Sequence, residues 1–555
     1  MRVRSALPIV VLVVLAAGSF VAGYFGWLHS FAPAGRADRS TIERSAWLAL
    51  RALSLSDQYN DARDWRLVTA KWLGGVFFGW VVLGALTVFL RDRLQALRAR
   101  FARGHVLVVG DGRTAELAAA MLARRRRPVF WLTDSAPGAG SVIRLPRSRD
   151  AEYDLKAASA ARAHLLLVAP EQDTASVALV KAARDIGVRD TRILLQSPAL
   201  RDSLHLMLGE HRYFVTAEAE ATAADVIGKH PPNLLARRAA QARIQAMIVG
   251  AGRVGQAIAR EIVLSCHTTG LGQPHLIFFG AGGDAEAKLL TRNPGLRQTC
   301  TLEFRGAEML MPQGEAPALA GLTCIYVCSA LSSDALETAV AFQEQMSRGD
   351  LSPVPIFVRV ADDASLEAAG GVSHLRPAQL VGFGGRESAI AASGLLDEDP
   401  DAAARAYHAR YQAFMTQARS ARSWDDLEEP FRIANRRAIA HIPAKLASAG
   451  FDLEPWLAGE DRRRLPSLAP GEPLFRTQGE REALARLEHE RWTADRLLDG
   501  WRFAPVRDDS RKRHDALLPF DQLSESLRDY DRQLVDFTAE LLGHAHDGLR
   551  RRVVS

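Results

Sequence analysis

The sequence predicts a mixed α/β chain: a two-helix membrane hairpin, two tandem Rossmann-like domains and a C-terminal, mainly α-helical module. Three observations predict it. Two apolar runs of bilayer length fall within the first hundred residues, an apolar strand leads through a glycine turn into a helix from His105, and the same order restarts near Gln245.

At 555 residues the chain is too long for one core, so three or more units are expected. The apolar runs, about 6–28 and 71–90, are almost free of charge and long enough to span a bilayer. The first has a basic start in Arg2 and Arg4, as a signal peptide would. Its apolar stretch exceeds a secretory core and no clear small-x-small cleavage site follows, so a retained anchor is expected. Arg91, Arg93, Arg98, Arg100 and Arg103 crowd the exit of the second run, which suits a hairpin with both ends in the cytoplasm. Arg36, Arg39, Arg44, Arg51, Arg63 and Arg66 in the loop argue the other way, so orientation leans also on the need of the following domains for cytosolic ligands. The expectation is a multi-pass protein of the inner (plasma) membrane with cytoplasmic soluble domains and membrane lipid as a partner.

The formal charge of +6 comes partly from these juxtamembrane arginines, so nucleic acid is not an expected partner. Cys266, Cys300, Cys324 and Cys328 all fall in one expected domain and imply no disulfide framework. Cys324 and Cys328 lie within an apolar strand and read as core thiols; no metal site is expected.

From His105 the segment HVLVVGDGRTAE has the order a mononucleotide-binding unit requires. Gly110 permits the tight turn, Gly112 lets backbone approach a pyrophosphate, and Ala115 in the third slot allows close helix packing. Asp111, Arg113 and Thr114 complete the turn, whose helix N-terminus offers amides to phosphate. Asp134, some twenty residues on, stands where a carboxylate accepts from a ribose hydroxyl. The second unit, MIVGAGRVGQ, has the full spacing in Gly250, Gly252 and Gly255, with Arg253 inside it. Its next strand ends in glycines and the nearest acid, Asp284, comes late, so its cofactor reading is the weaker.

Two membrane runs followed by HVLVVGDGRTAE and MIVGAGRVGQAIA resemble the TrkA-N, or RCK-type, regulatory domains of bacterial potassium channels and transporters. The resemblance covers roughly residues 1–395. It implies binding of NAD or another adenine nucleotide and coupling to an attached gate; separately, two membrane helices per chain are too few for a pore, so any pore requires a homo-oligomer, most simply a dimer or tetramer. A potassium filter would need a T-V-G-Y-G-like run between the spans. The loop offers a helical stretch, STIERSAWLALRALSL, followed by SDQYNDARDW without a glycine, so a selective potassium pore is doubtful and anchor and nonselective pore stay open.

The C-terminal module resembles the RyR domain, the helical repeat named for ryanodine receptors. Glu488, His489, Glu490, Arg491, Trp492, Gly500, Trp501, Arg502, Lys512, His514, Leu518, Pro519, Leu523 and Asp531 carry the match. Trp492 and Trp501 offer apolar faces, with Arg491, Arg502, Arg507, Lys512 and His514 as cationic donors beside them, a composition suited to a base and its phosphate. The competing reading puts both tryptophans in the core and pairs the charges with Glu490, Asp508 and Asp509.

Boundaries are expected at 1–100 for the hairpin, 101–240 and 241–395 for the Rossmann-like units, 396–470 for a helical linker and 471–555 for the RyR-like module. No G-x-S-x-G elbow or H-E-x-x-H helix appears, so no catalytic residue is expected. Three functions stay open: a nucleotide sensor controlling ion conductance or membrane state, a tethered NAD(P)-dependent oxidoreductase, and a stress or antiviral membrane effector.

Overall fold

The two apolar runs and the loop between them form three helices: α1 (Val3–Phe31), α2 (Arg39–Arg51) and α3 (Trp65–Phe101). The computed structural model describes residues 3–33, 35–54, 64–134, 142–148, 150–198, 200–201, 204, 213–280, 283–306, 319–329, 332–349, 351–360, 380–414, 422–458, 465–543 and 548–552. Two segments, Val11–Phe31 and Trp65–Leu86, are long and apolar enough to cross a membrane, and only 17% of the apolar window of each is buried within the chain. Helix α3 runs on past its apolar stretch because Arg91–Phe101 contains no Gly or Pro to stop it. The carboxylate of Asp38 caps α2 by accepting from the Thr41 amide at 3.0 Å. A 3-10 turn, Ala52–Ser54, continues α2. Ser19, fully buried on α1, donates to the Ala70 carbonyl of α3 at 2.9 Å. A Cβ at Gly74 would collide with the Ala52 carbonyl, so the glycine is what lets the turn sit against α3.

Residues Met1–Ala99 form one structural unit and Arg100–Ser555 the other. The second contains two six-stranded sheets. The first takes β1 (Val106–Val109), β2 (Val129–Leu132), β3 (Ile143–Leu145), β4 (Leu165–Val168), β5 (Thr191–Leu195) and β6 (Tyr213–Ala217) in the order β3-β2-β1-β4-β5-β6, all parallel. The second repeats that order with β7 (Arg243–Val249), β8 (Gly272–Phe279), β9 (Thr301–Arg305), β10 (Cys324–Val327), β11 (Ile356–Arg359) and β12 (Leu380–Phe383). This is the doubly wound arrangement, with the switch point beside the first strand of each sheet. Continuous apolar strands such as Val106–Val109 and Cys324–Val327 are buried throughout, as strands covered by helices on both faces must be.

Helices α4 (Arg113–Ala123), α5 (Glu218–Lys229), α6 (Arg253–Ser265) and α7 (Arg386–Ala392) cover these sheets, and two of them cross over. Helix α5 leaves the first sheet, yet its Ala219, Ala223, Val226 and Ile227 pack in the second core with Ile258 and Ile262 of α6. Conversely, Ile390 of α7 and the following Leu395 and Leu396 pack with Ala118 and Leu122 of α4 in the first core. Arg192 on β5 fixes that return, its buried guanidinium donating to the carbonyls of Leu395, Asp397 and Glu398 and to Asp190.

The C-terminal region supplies α8 (Glu429–Ala440), α9 (Ile442–Ser448), α10 (Gln478–Leu498) and α11 (Glu525–Leu542). Ala494 and Leu498 of α10 enter the second Rossmann-like core, while Leu484 and Leu487 pack with Val535 of α11. Glu488, 1% exposed, accepts from Arg491 at 2.8 Å and lies 2.7 Å from the Lys445 ammonium of α9. Burial alone would raise its pKa; the Arg491 and Lys445 charges overcome that and hold it well below the usual carboxylate range. Further along α10, Arg437 of α8 reaches Asp495 and Asp499, and Arg260 of α6 also pairs with Asp499. Replacing Glu488 by Gln strands two buried cations and is expected to cost about 3–5 kcal/mol of stability. Replacing Arg486, whose pair with Asp521 is exposed, should cost under about 1 kcal/mol. Denaturant unfolding of the two variants checks the contrast.

Candidate functional site

The first glycine turn joins β1 to α4 at the switch point. Gly110 (φ 148°) and Gly112 (φ 87°) hold conformations that favour glycine, and a Cβ on Gly110 would strike the Ala169 carbonyl beyond β4. Gly112 stands at the N-cap of α4 and no side chain makes a capping hydrogen bond there, so the first-turn amides remain available to an anion. Ala115 is fully buried, Thr114 half-buried, and exposed Arg113 pairs with Glu116 at 2.9 Å. Asp134 stands exposed two residues beyond β2. Its amide and the Thr133 hydroxyl both donate to Asp111 at 2.8 Å, and Arg147 closes on the same carboxylate at 3.0 Å. Asp111 therefore ties the glycine turn to the ends of β2 and β3 rather than facing a ligand. Trp131 adds a 2.8 Å bond from its indole to the Gly110 carbonyl.

One residue here was not foreseen. The Glu171 side chain lies so close to Gly112 that a Cβ there would meet its carboxylate. Glu171 is exposed, so this is the end of a movable side chain resting where a phosphate would approach.

The second turn reverses the balance. Gly250 has φ 94°, Gly255 is packed so that a Cβ would collide with the Gly250 carbonyl, and the space beside Gly252 is open. Arg253 is exposed and donates to the Gln196 carbonyl of the first unit at 3.3 Å. After β8 the chain continues into Gly280, and Asp284 lies within a helix, Gly283–Arg292. The second turn thus offers a clear cradle without a ribose acceptor, the first an acceptor with an acidic side chain across its cradle.

All four cysteines are buried and burial pushes each thiol up to about 12. No cluster of His, Cys, Asp or Glu able to hold a metal occurs among the described residues. A cavity of about 690 Å³ opens beside Arg238, Glu454 and Arg551, and neither glycine turn lines it.

In the C-terminal module the structure separates the residues that sequence grouped. Arg491 is 3% exposed and bound to Glu488, so its charge is spent inside. Trp501, 7% exposed, lies under the Arg496 guanidinium at 5.5 Å; Trp492 is half-buried and meets His514 edge-on at 4.9 Å. Arg507 pairs with Asp509 at 2.7 Å, and Lys512 donates to the Asp499 carbonyl at 2.8 Å, closing the end of α10 where Gly500 turns left-handed at φ 84°. Arg502 is exposed. Arg491 and Trp501 are thus core, Arg507 and Lys512 are exposed but already partnered, and the exposed Arg502 and half-buried Trp492 remain. Residues 476–544 match the RyR domain.

Part of the chain is also matched by solved structures of the GsuK channel. One described as the GsuK channel bound to NAD is 12% identical and covers 71% of this chain and 84% of its own, with a TM-score of 0.35. A GsuK structure bound to ADP is 14% identical, covering 71% and 98%, at a TM-score of 0.34.

His514 provides a test of the packing in the RyR domain. Burial, aided by Arg507, lowers its pKa to about 4, and its Nδ1 accepts from the Ala516 amide at 3.1 Å, which a protonated nitrogen could not do. Unfolding restores a pKa near 6.5, so the unfolded state binds the extra proton and stability falls as pH drops from about 6.5 to about 4. Melting temperatures of wild type and His514→Gln across that window should show a shallower decline in the variant.

Proposed function

We propose that this is a membrane-embedded sensor of an adenine nucleotide or dinucleotide, NAD among the candidates, which uses the bound ligand to bias its membrane hairpin. The observation that carries the reading is the turn at Gly110 and Gly112: left-handed backbone, an uncapped helix N-terminus and the free Asp134 carboxylate at the end of the adjacent strand. In this reading a diphosphate lies over the α4 amides near Gly112, Arg113 and Thr114, and Asp134 accepts from the ribose. Ala115, Asp111 and Arg147 hold the turn. The second turn, at Gly250, Gly252, Arg253 and Gly255, is a subsidiary phosphate site.

Glu171 makes such a sensor responsive rather than permanently occupied, because an incoming diphosphate must displace a like charge. A ligand shifts a conformational equilibrium only through unequal affinity for the two states. Movement of Glu171 supplies one difference. Exchange of α5 and α7 between the sheets supplies a route, since a change at one turn acts on a core shared with the other. Two membrane helices per chain require a homo-oligomer, a dimer or tetramer, for any action as a pore. The RyR domain, docked through α10, would sense or recognise through the half-buried Trp492 and the exposed Arg502.

Calorimetry of the detergent-solubilised full chain with NAD, NADH, ATP and ADP-ribose tests the site. Asp134→Ala should weaken the binding ligand by about tenfold or more, the loss of a charged hydrogen-bond acceptor of about 1.5–3 kcal/mol. Glu171→Gln should tighten it. Unchanged affinity for every ligand in Asp134→Ala would place the site elsewhere.

A further inference from the structure

The cavity of about 690 Å³ is lined by four arginines and only two carboxylates. Arg238 ends the short helix Pro232–Arg238, just ahead of β7. Arg550, Arg551 and Arg552 come from one stretch of chain, and Asp452 and Glu454 from the start of the helix Glu454–Ala458. Three consecutive arginines repel one another, yet here the backbone beneath them is fixed. Gly548–Leu549 pairs parallel with Ser467–Leu468, and Arg551 bridges Phe451 in the antiparallel sense. The Arg550 carbonyl accepts from the Asp452 amide at 3.0 Å, and the Arg552 amide donates to the Gly450 carbonyl at 2.9 Å. A ligand gripped by these side chains therefore has no backbone to order, which lowers the cost of binding.

The charges inside this frame are not balanced. Arg238 pairs with Glu454, and Arg552 lies 3.5 Å from Asp452. Arg550 is exposed, and its guanidinium has no hydrogen-bond or ion-pair partner among the described residues. The Arg551 side chain is 7% exposed, packs over the Phe451 ring at 4.7 Å and donates from Nη2 to the Pro473 carbonyl at 2.5 Å. Its buried Nε has no hydrogen bond, the Glu472 carboxylate being 3.5 Å away. Next to Arg238, burial and after it the charge of Arg552 lower the pKa of Arg237, so excess positive charge is felt there too. The neighbouring undescribed residues do not cancel it by composition: Glu460, Asp461 and Asp547 are matched by Arg462, Arg463 and Arg464, and residues 553–555 carry no charged side chain.

The remaining lining, Pro455, Gly548 and Leu549, brings no aromatic ring on which a base could stack. Recognition must then come from the guanidinium forks, which match the oxygens of phosphate two at a time. We propose that this cavity binds a small soluble anion carrying two or more phosphate groups, held by Arg550 and Arg552 and joined by Arg238 as Glu454 gives way. Such a ligand would tie the segment entering β7 to residues 550–552. The site is separate from both glycine turns and does not rest on the reading of either.

Calorimetry of the detergent-solubilised full chain with inorganic tripolyphosphate, at fixed ionic strength, tests it. The double variant Arg550→Gln/Arg552→Gln should weaken binding by about tenfold or more, the loss of charge-assisted hydrogen bonds. Glu454→Gln, which frees Arg238, should tighten it several-fold. Arg126→Gln/Arg348→Gln, an equal charge change at exposed positions elsewhere, should leave it unchanged. Glycerol 1-phosphate, the single-phosphate headgroup of an anionic lipid, should bind far more weakly. Hydrogen exchange with tripolyphosphate present should slow in residues 450–458 and 548–552. No binding to wild type, an affinity indifferent to Arg550→Gln/Arg552→Gln, weaker binding in Glu454→Gln, or protection confined to the glycine turns would each overturn the site. Equal binding of glycerol 1-phosphate would overturn the assignment to a multiply phosphorylated ligand.

Discussion

Much of the soluble structure depends on how one buried guanidinium is satisfied. Arg192 sits on β5 with 2% exposure, and each of its donors must find an oxygen inside the protein. Asp190 takes two of its bonds, at 3.2 and 2.8 Å, and the carbonyls of Leu395, Asp397 and Glu398 take the others. Those carbonyls belong to the chain leaving the second sheet. The first Rossmann-like unit is therefore complete only when residues two hundred positions later have come back to it. With α5 packed in the opposite direction, the two sheets share their helical layers.

The same economy governs the RyR domain. Its helix α10 reaches the second sheet through Ala494 and Leu498, the α8–α9 pair through Glu488 and Asp495, and α6 through Asp499. A carboxylate buried with two cations is not by itself a source of net stability, because desolvation offsets most of the attraction. What it supplies is orientation: only one rotation of α10 about its axis brings Glu488 to Lys445 while Asp499 meets Arg260. The domain is held as part of the body rather than hung from it.

Local pattern made the strands and turns legible. VLVV, MIV and CIYV read as buried strands because alternating helices cover both faces, and the glycine spacings placed each turn before its helix. Helix exchange was not legible, since nothing in the apolar face of Glu218–Lys229 or Arg386–Ala392 says which sheet it will cover. Arg491 misleads for a related reason. In the run EHERW it looks like one more solvated charge, and only the approach of α9 encloses it. Glu171 follows a strand by three residues and carries no sequence signal for lying over a turn sixty residues earlier. The helix that carries the second apolar run begins at Trp65, ahead of that run, where the Asp64 carboxylate accepts from the Arg66 amide.

The depth at which the cysteines lie has a chemical consequence of its own. A thiol whose pKa is about 12 is ionised in only about one part in a hundred thousand at neutral pH, and it is the thiolate that peroxide, nitrosating agents and disulfides attack. Sealed in the second sheet and its helices, these sulfurs are blind to oxidants, so a folded copy passing from a reducing to an oxidising compartment would keep its cysteine chemistry unchanged.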